Sequence, residues 1–195
     1  LILLYRFRRS GMEHVPRSGA VIFVANHQSN YDPAIVGSLV ADRPFCGIAR
    51  KGLFSSKILS WFLHQFGAIE INRGESDIKA IRLAVKELHV GGCVLLFPEG
   101  TRTPDGKMSE FKRGFWLLVK KTNAIIVPIG IDGAYDAWKI GSKPKWRGYI
   151  EAIAGSPISA ESLIKMGEED GSEFIRSTIE KLRQGCQENI EKRSK

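Results

Sequence analysis

His27 and Asp32 are the two residues in the chain best placed by type and spacing to do chemistry together. They lie in the stretch Asn26-His27-Gln28-Ser29-Asn30-Tyr31-Asp32, directly after the apolar run Ala20-Val21-Ile22-Phe23-Val24-Ala25. The apolar run reads as a buried strand. Asp32-Pro33 reads as a helix start, with a capping carboxylate followed by proline at the first helical position. His27 then leaves the strand end as the chain turns, with Asp32 one tight turn away. A histidine oriented by a carboxylate can take a proton from a hydroxyl near neutral pH. The plain reading is that Asp32 only caps the helix and His27 only bonds backbone, and the spacing alone does not separate the two.

Other groups suited to chemistry follow later in the chain. Arg73 ends the run Ala68-Ile69-Glu70-Ile71-Asn72, and Pro98-Glu99-Gly100-Thr101-Arg102-Thr103 follows the apolar Cys93-Val94-Leu95-Leu96-Phe97. Arg73 and Arg102 offer planar, permanently charged forks suited to phosphate. Gly100 lets backbone N–H groups approach an anion with no side chain in the way. Glu99 either orients a ligand or Arg102, or forms half of an ordinary ion pair. Nucleophilic catalysis fits less well, since no G-x-S-x-G elbow surrounds Ser29 and Cys93 lies in a strand that reads as buried. No cluster has metal-ligand spacing, and His14, His64 and His89 are isolated.

These residues need a scaffold. Strands are expected at 20–25, 44–49, 68–73, 93–97 and 124–131, the last broken by Pro128. Helices are expected at 33–40, 53–66, 76–89 and 114–121. Helix 76–89 is expected to bury Ile78, Ile81, Val85 and Leu88, and Gly91-Gly92 closes it. Alternation of this kind implies an α/β domain with a mostly parallel central sheet flanked by helices. Ligand sites in such sheets gather beyond the carboxyl ends of the strands, where His27, Arg73 and the turn 99–102 all fall. The helix at 53–66 has a narrow polar stripe of Ser56, Ser60 and His64. It is either core packing or a wall for an acyl chain. The tail from Ala160 is helical in pattern and carries no legible chemistry.

The chain has 195 residues and a net charge of +8, enough for one domain with a substantial core. The cations are concentrated in two segments: residues 1–60 hold eight Lys/Arg against three Asp/Glu, and 111–150 hold eight against two. Such segments suit an anionic partner: a phosphate-bearing substrate, an anionic membrane surface or a nucleic acid. Residues 138–149 interleave aromatics with cations and read either as a solvated loop and hairpin or as a membrane-interface belt. A nucleic-acid surface is the weaker reading. Cys46, Cys93 and Cys186 are far apart and suggest no disulfide framework. No window approaches the ~18 apolar residues of a spanning helix. The chain opens inside the apolar Leu1-Ile2-Leu3-Leu4-Tyr5 without a methionine, as if clipped.

The stretch 26–32 matches the NHxSxxD block of the glycerolipid acyltransferases, the 1-acylglycerol-3-phosphate acyltransferase family. Gly67 to Arg73 resembles that family's second block, Phe97 to Thr103 its FPEGTR[ST] block, and Val127-Pro128-Ile129-Gly130 its fourth. Phe111-Lys112-Arg113-Gly114 resembles its FKxG stretch. The resemblance covers residues 16–133 and keeps the four blocks in order. It implies one acyltransferase domain over 1–195, with a membrane-associated segment at 1–15 and a basic, aromatic and helical region at 134–195.

The activity implied is transfer of an acyl group from a thioester donor, acyl-CoA or acyl-carrier protein, to 1-acylglycerol 3-phosphate (lysophosphatidic acid). Glycerol 3-phosphate or another lysophospholipid are alternative acceptors, and a non-catalytic lipid-binding homologue is a more distant one. The donor is a co-substrate, so no cofactor and no metal are implied. His27 would be the general base and Asp32 its orienting partner. Arg73, Glu99, Arg102 and Lys112 would bind the acceptor, and Gly100 is the candidate N–H donor to an oxyanion or phosphate. Asn26, Ser29, Pro98 and Thr101 support the blocks. The implied place of work is the cytoplasmic face of a membrane, with no nucleic acid as partner.

Overall fold

The structure, a computed structural model, describes residues 4–40, 42–50, 69–71 and 77–195. The expected helix 53–66 and Arg73 lie outside the described residues. Among the described residues the strands are β1 (Arg8–Ser10), β2 (Val21–Ala25), β3 (Phe45–Arg50), β4 (Ile69–Ile71), β5 (Cys93–Leu96), β6 (Ile125–Asp132), β7 (Glu151–Ala154) and β8 (Ile158–Ser159). The α-helices are α1 (Asp32–Leu39), α2 (Asp77–His89), α3 (Gly114–Lys121), α4 (Ala134–Trp138), α5 (Ala160–Met166) and α6 (Glu168–Ser194).

The strands form one sheet in the order β1-β7-β6-β2-β5-β3-β4, with β8 also paired to β6. From β6 to β4 every pairing is parallel, whereas β7 and β8 run antiparallel to β6. This is the expected mostly parallel α/β sheet. Strand β2 sits at its centre between β5 and β6, and all five of its residues are buried. Alternation along β2 divides the core into two layers. Val21, Phe23 and Ala25 face a layer with Ile35 and Val36 of α1 and Ala134 of α4. Ile22 and Val24 face the other, with Ala84 of α2, Phe115 and Leu118 of α3, Leu163 of α5 and Ile175 and Ile179 of α6. A strand buried on both faces reads as an unbroken apolar run.

Three details differ from expectation. Strand β6 runs unbroken through Pro128. The Pro128 carbonyl accepts from Gly155 N–H, so its ring nitrogen points to the same flank, where the chain passes between β7 and β8. No ladder donor is needed there, and proline is tolerated. Helix α2 buries Ala80, Ala84 and Leu88, while Ile78 is 56% exposed. Ile81 and Val85 pack partly buried against the same core, so the expected face holds apart from Ile78, with small alanines at its centre. Residues 139–149 form no hairpin: the chain leaves α4 as a loop and rejoins the sheet at β7.

Glycines end one helix and let another approach the sheet. Gly92 N–H donates to Glu87 O and Gly91 N–H to Leu88 O, the paired bonds that close α2. Gly130 lets α6 lie against β6, since a Cβ there would sit 2.4 Å from Arg183 N.

Candidate active site

Because β2, β5 and β6 are parallel, their carboxyl ends release three loops at one edge of the sheet. The first carries Asn26 to Tyr31, the second Phe97 to Arg113, and the third leads from Asp132 into α4. Helix α1 begins one residue earlier than expected, with Tyr31 as the flanking residue and Asp32 inside its first turn. The Asp32 carboxylate turns back towards the strand and does not cap the helix ahead of it. Its Oδ2 accepts from the His27 Nδ1–H at 2.7 Å, Gln28 N–H at 2.6 Å and Ser29 N–H at 2.7 Å.

That geometry excludes the plain reading of this pair. Asp32 is fully buried, whereas the His27 side chain keeps 19% of its surface. A carboxylate only accepts, so the hydrogen in the His27–Asp32 bond sits on Nδ1 in the neutral ring. Nε2 then carries the lone pair, and it has no hydrogen-bond partner among the described residues. A base oriented in this way is ready to receive a proton from a bound hydroxyl.

The loop after β5 holds the same histidine by its backbone and its ring face. His27 N–H donates to Glu99 Oε1 at 2.7 Å, and Thr103 N–H donates to His27 O at 2.8 Å. The Phe97 ring stacks on the imidazole, with centroids 4.0 Å apart and an interplanar angle of 14°. Pro98 is buried, and its carbonyl accepts from Lys112 N–H at 2.8 Å, folding the loop back on itself.

Glu99 is tied into the backbone in a way the sequence does not show. Each of its oxygens accepts from a backbone donor, Oε2 from Ser109 N–H at 2.8 Å, and the residue is only 3% exposed. Burial raises its carboxyl above the ordinary value, while the Ser109 and His27 amides pull it down. A carboxylate held like this ties two loops together. Gly100 differs from expectation, because its N–H already donates to Phe97 O at 3.0 Å. Its φ is +69°, and a Cβ there would meet Lys112 Cδ and Cε at 2.8 Å. The glycine makes room for the Lys112 side chain to cross the turn.

Arg102 and Lys112 supply the local positive charge. Arg102 Nη1 donates to Asn30 Oδ1 at 2.7 Å, which ties the guanidinium to the histidine loop. Burial lowers its pKa, and the nearby Asp32 carboxylate opposes that shift. Lys112 is exposed, as is Thr101. The structure therefore brings His27, Asp32, Glu99, Arg102 and Lys112 to one place.

The third loop and α6 hold the histidine loop from the opposite flank. Asn26 bridges to β6 with both ends of its amide: Nδ2 donates to Ile131 O at 2.9 Å and Oδ1 accepts from Ile131 N–H at 2.8 Å. Ser29 Oγ donates to Trp138 O at 2.9 Å. Gln28 Nε2 donates to Asp132 Oδ1 at 3.3 Å, and its Oε1 accepts from Tyr135 N–H at 3.3 Å. Arg183 of α6 reaches the same Asp132 oxygen at 3.1 Å. The sequence reading missed Gln28, Asp132 and Arg183. Polar residues in the tail gave no local signal of a partner 51 positions away.

The Acyltransferase family model matches residues 6–132. A chloroplastic 1-acyl-sn-glycerol-3-phosphate acyltransferase of Arabidopsis thaliana is 30% identical over 158 residues, 79% of this chain and 44% of that protein. A 1-acyl-sn-glycerol-3-phosphate acyltransferase of Pseudomonas aeruginosa is 28% identical over 159 residues, 80% of this chain and 60% of that protein. The chain thus spans about half the length of the curated relatives it matches. In three dimensions it resembles the 1-acyl-sn-glycerophosphate acyltransferase PlsC of Thermotoga maritima, with a TM-score of 0.78 and 26% identity over 93% of this chain and 71% of that one. The histidine–carboxylate loop and the FPEGTR loop both fall inside the matched segment, and the chain belongs to the acyltransferase family.

Proposed function

We propose that this chain transfers a fatty acyl group from a thioester donor, acyl-CoA or acyl-carrier protein, to the free hydroxyl of 1-acylglycerol 3-phosphate, forming phosphatidic acid. The observation that carries this reading is the His27 ring, whose Nδ1 is held by buried Asp32 while Nε2 has no hydrogen-bond partner among the described residues. The names of the relatives support the acceptor class.

In this mechanism Nε2 accepts the proton of the acceptor hydroxyl, and the oxygen attacks the thioester carbonyl. The tetrahedral intermediate collapses with cleavage of the C–S bond, and His27 returns its proton to the departing thiolate. Asp32 fixes the tautomer and stabilises the imidazolium during the step. No acyl-enzyme is needed. Arg102 and Lys112 attract the acceptor phosphate, and Arg73, which lies outside the described residues, is assigned the same role on the sequence of the second block alone. Glu99 positions His27 through its backbone. Among the described residues no helix is long and apolar enough to cross a membrane, and work at the cytoplasmic face of a bilayer is part of the proposal.

The test is acyl transfer by His27→Ala with lysophosphatidic acid and an acyl-CoA. The expected loss is about 10²–10⁴-fold in kcat, the usual contribution of a positioned general base, with an unchanged melting temperature. Wild-type turnover in that folded variant would refute the assignment. Phosphate-free monoacylglycerol used as efficiently as lysophosphatidic acid would refute the acceptor class.

A further inference from the structure

The segment between α4 and β7 contributes no group to the proton-transfer step, yet it departs directly from the site. Trp138 packs edge-on against Tyr31, with centroids 5.0 Å apart, and its carbonyl accepts from Ser29 Oγ. Residues 139–147 therefore start beside the histidine loop, and every one of them is exposed. Lys139, Lys143, Lys145 and Arg147 are cations, and no carboxylate occurs between Asp136 and Glu151. Trp146 is 83% exposed, more than any other large hydrophobic residue among those described, and Ile140 is 45% exposed.

The loop is held in shape. Lys145 N–H donates to Ala137 O at 2.8 Å, Trp138 Nε1–H donates to Ser142 O at 2.9 Å, and the Tyr5 hydroxyl donates to Lys145 O. Trp146 is thus displayed by a folded loop.

An indole ringed by cations suits the headgroup layer of an anionic bilayer, where the ring lies at the interface and the cations meet lipid phosphates. A nucleic acid would use the cations but leave Ile140 without a role. We infer that residues 139–147 dock the protein on an anionic lipid bilayer, with Trp146 and Ile140 at headgroup depth, so that the mouth of the His27 site faces the membrane. The inference deepens the proposed function and rests on it only for why that orientation is useful.

Vesicle co-sedimentation tests it, using phosphatidylcholine vesicles with and without one third phosphatidylglycerol. The wild-type chain should bind the anionic vesicles in preference. Trp146→Ala combined with Ile140→Ala should weaken that binding by about tenfold or more. Lys143→Glu combined with Arg147→Glu should weaken it by roughly a hundredfold or more, since each cation near such a leaflet contributes about fivefold. Both double variants should keep wild-type transfer to a short-chain acceptor that is monomeric in solution. Vesicle binding that is absent in the wild type or unchanged in both variants would overturn the docking surface. So would a shift of the same mutational sensitivity to an RNA oligonucleotide with no vesicle binding. Loss of solution activity in the wild type would strike the proposed reaction and leave the vesicle result standing.

Discussion

The two ends of the sheet both use polar side chains to fasten loops, and they do so to different purposes. At the amino ends, Arg43 donates to the carbonyls of Pro16, Gly19 and Gly91 and to Cys93 Sγ. One exposed or half-buried cation there satisfies carbonyls that the incoming loops would otherwise leave unpaired. At the carboxyl ends, Asn26, Gln28, Ser29, Asp32 and Glu99 are all buried, and their bonds fix the loop that carries His27 and, through Asp32, its ring. Buried polar groups are costly unless every one is paired. Their concentration at one end shows where the fold gives up easy stability for positional control.

The largest effect that would sharpen this contrast is at Asp32. Asp32→Asn keeps the shape but offers an amide where three donors converge, so acyl transfer should fall by about 10²–10⁴-fold. Steady-state kinetics on the folded variant checks this, and a loss under tenfold would break the distinction between the two ends.

Glu99→Gln comes next. One of the two N–H bonds to the side chain must be lost, and kcat should drop by about tenfold or more with a small change in acceptor KM. It also has a signature in pH. Burial holds the Glu99 carboxyl above its ordinary value of 4.5. Its contribution to stability is therefore complete below that ordinary value and is lost as the pH rises through the raised one. The variant lacks this titration, so the stability of wild type relative to variant should shrink as the pH rises above the ordinary value of 4.5. A gap that widened with rising pH, measured by chemical denaturation, would contradict the burial argument.

A smaller effect is expected from α6. Arg183→Met removes a donor from Asp132, whose carboxyl burial already raises and which Gln28 and Arg183 pull down. A severalfold fall in kcat with unchanged acceptor KM, partly restored by Arg183→Lys, is the mark of positioning through Asp132 and Gln28. A purely structural role would move the melting temperature and leave kcat alone at low temperature.

Arg43→Ala should do the opposite of all these. It is expected to cost about 2 kcal/mol of stability from lost charged hydrogen bonds, with kcat unchanged well below the melting transition. A marked fall in kcat there would dissolve the division of labour between the two ends.

Much of this was legible in the sequence because the signals are local. The apolar run before His27, the Asp32-Pro33 step and the Gly91-Gly92 stop each lie within a few residues of what they specify. Helix α3 begins and ends where its pattern says, at Gly114 and Lys121. What was not legible depends on pairing across the chain. Asn26 meets Ile131 and Gln28 meets Asp132 more than a hundred positions away, and no periodicity encodes such a partner. That Glu99 braces His27 and Ser109 through their amides is likewise visible only in the fold. The start of α1 was misplaced by one residue for a related reason: Asp32 bonds backwards to Gln28 and Ser29, and the capping rule assumes that it bonds forwards.

The measurement closest to the central claim is the tautomer of His27, read by ¹⁵N NMR on histidine-labelled protein at a pH where the ring is neutral. A ring protonated at Nδ1 with a bare Nε2, converting to a mixture in Asp32→Asn, is the predicted result. A neutral ring carrying its hydrogen on Nε2 in the wild type would contradict the account, because no lone pair would then face the acceptor hydroxyl.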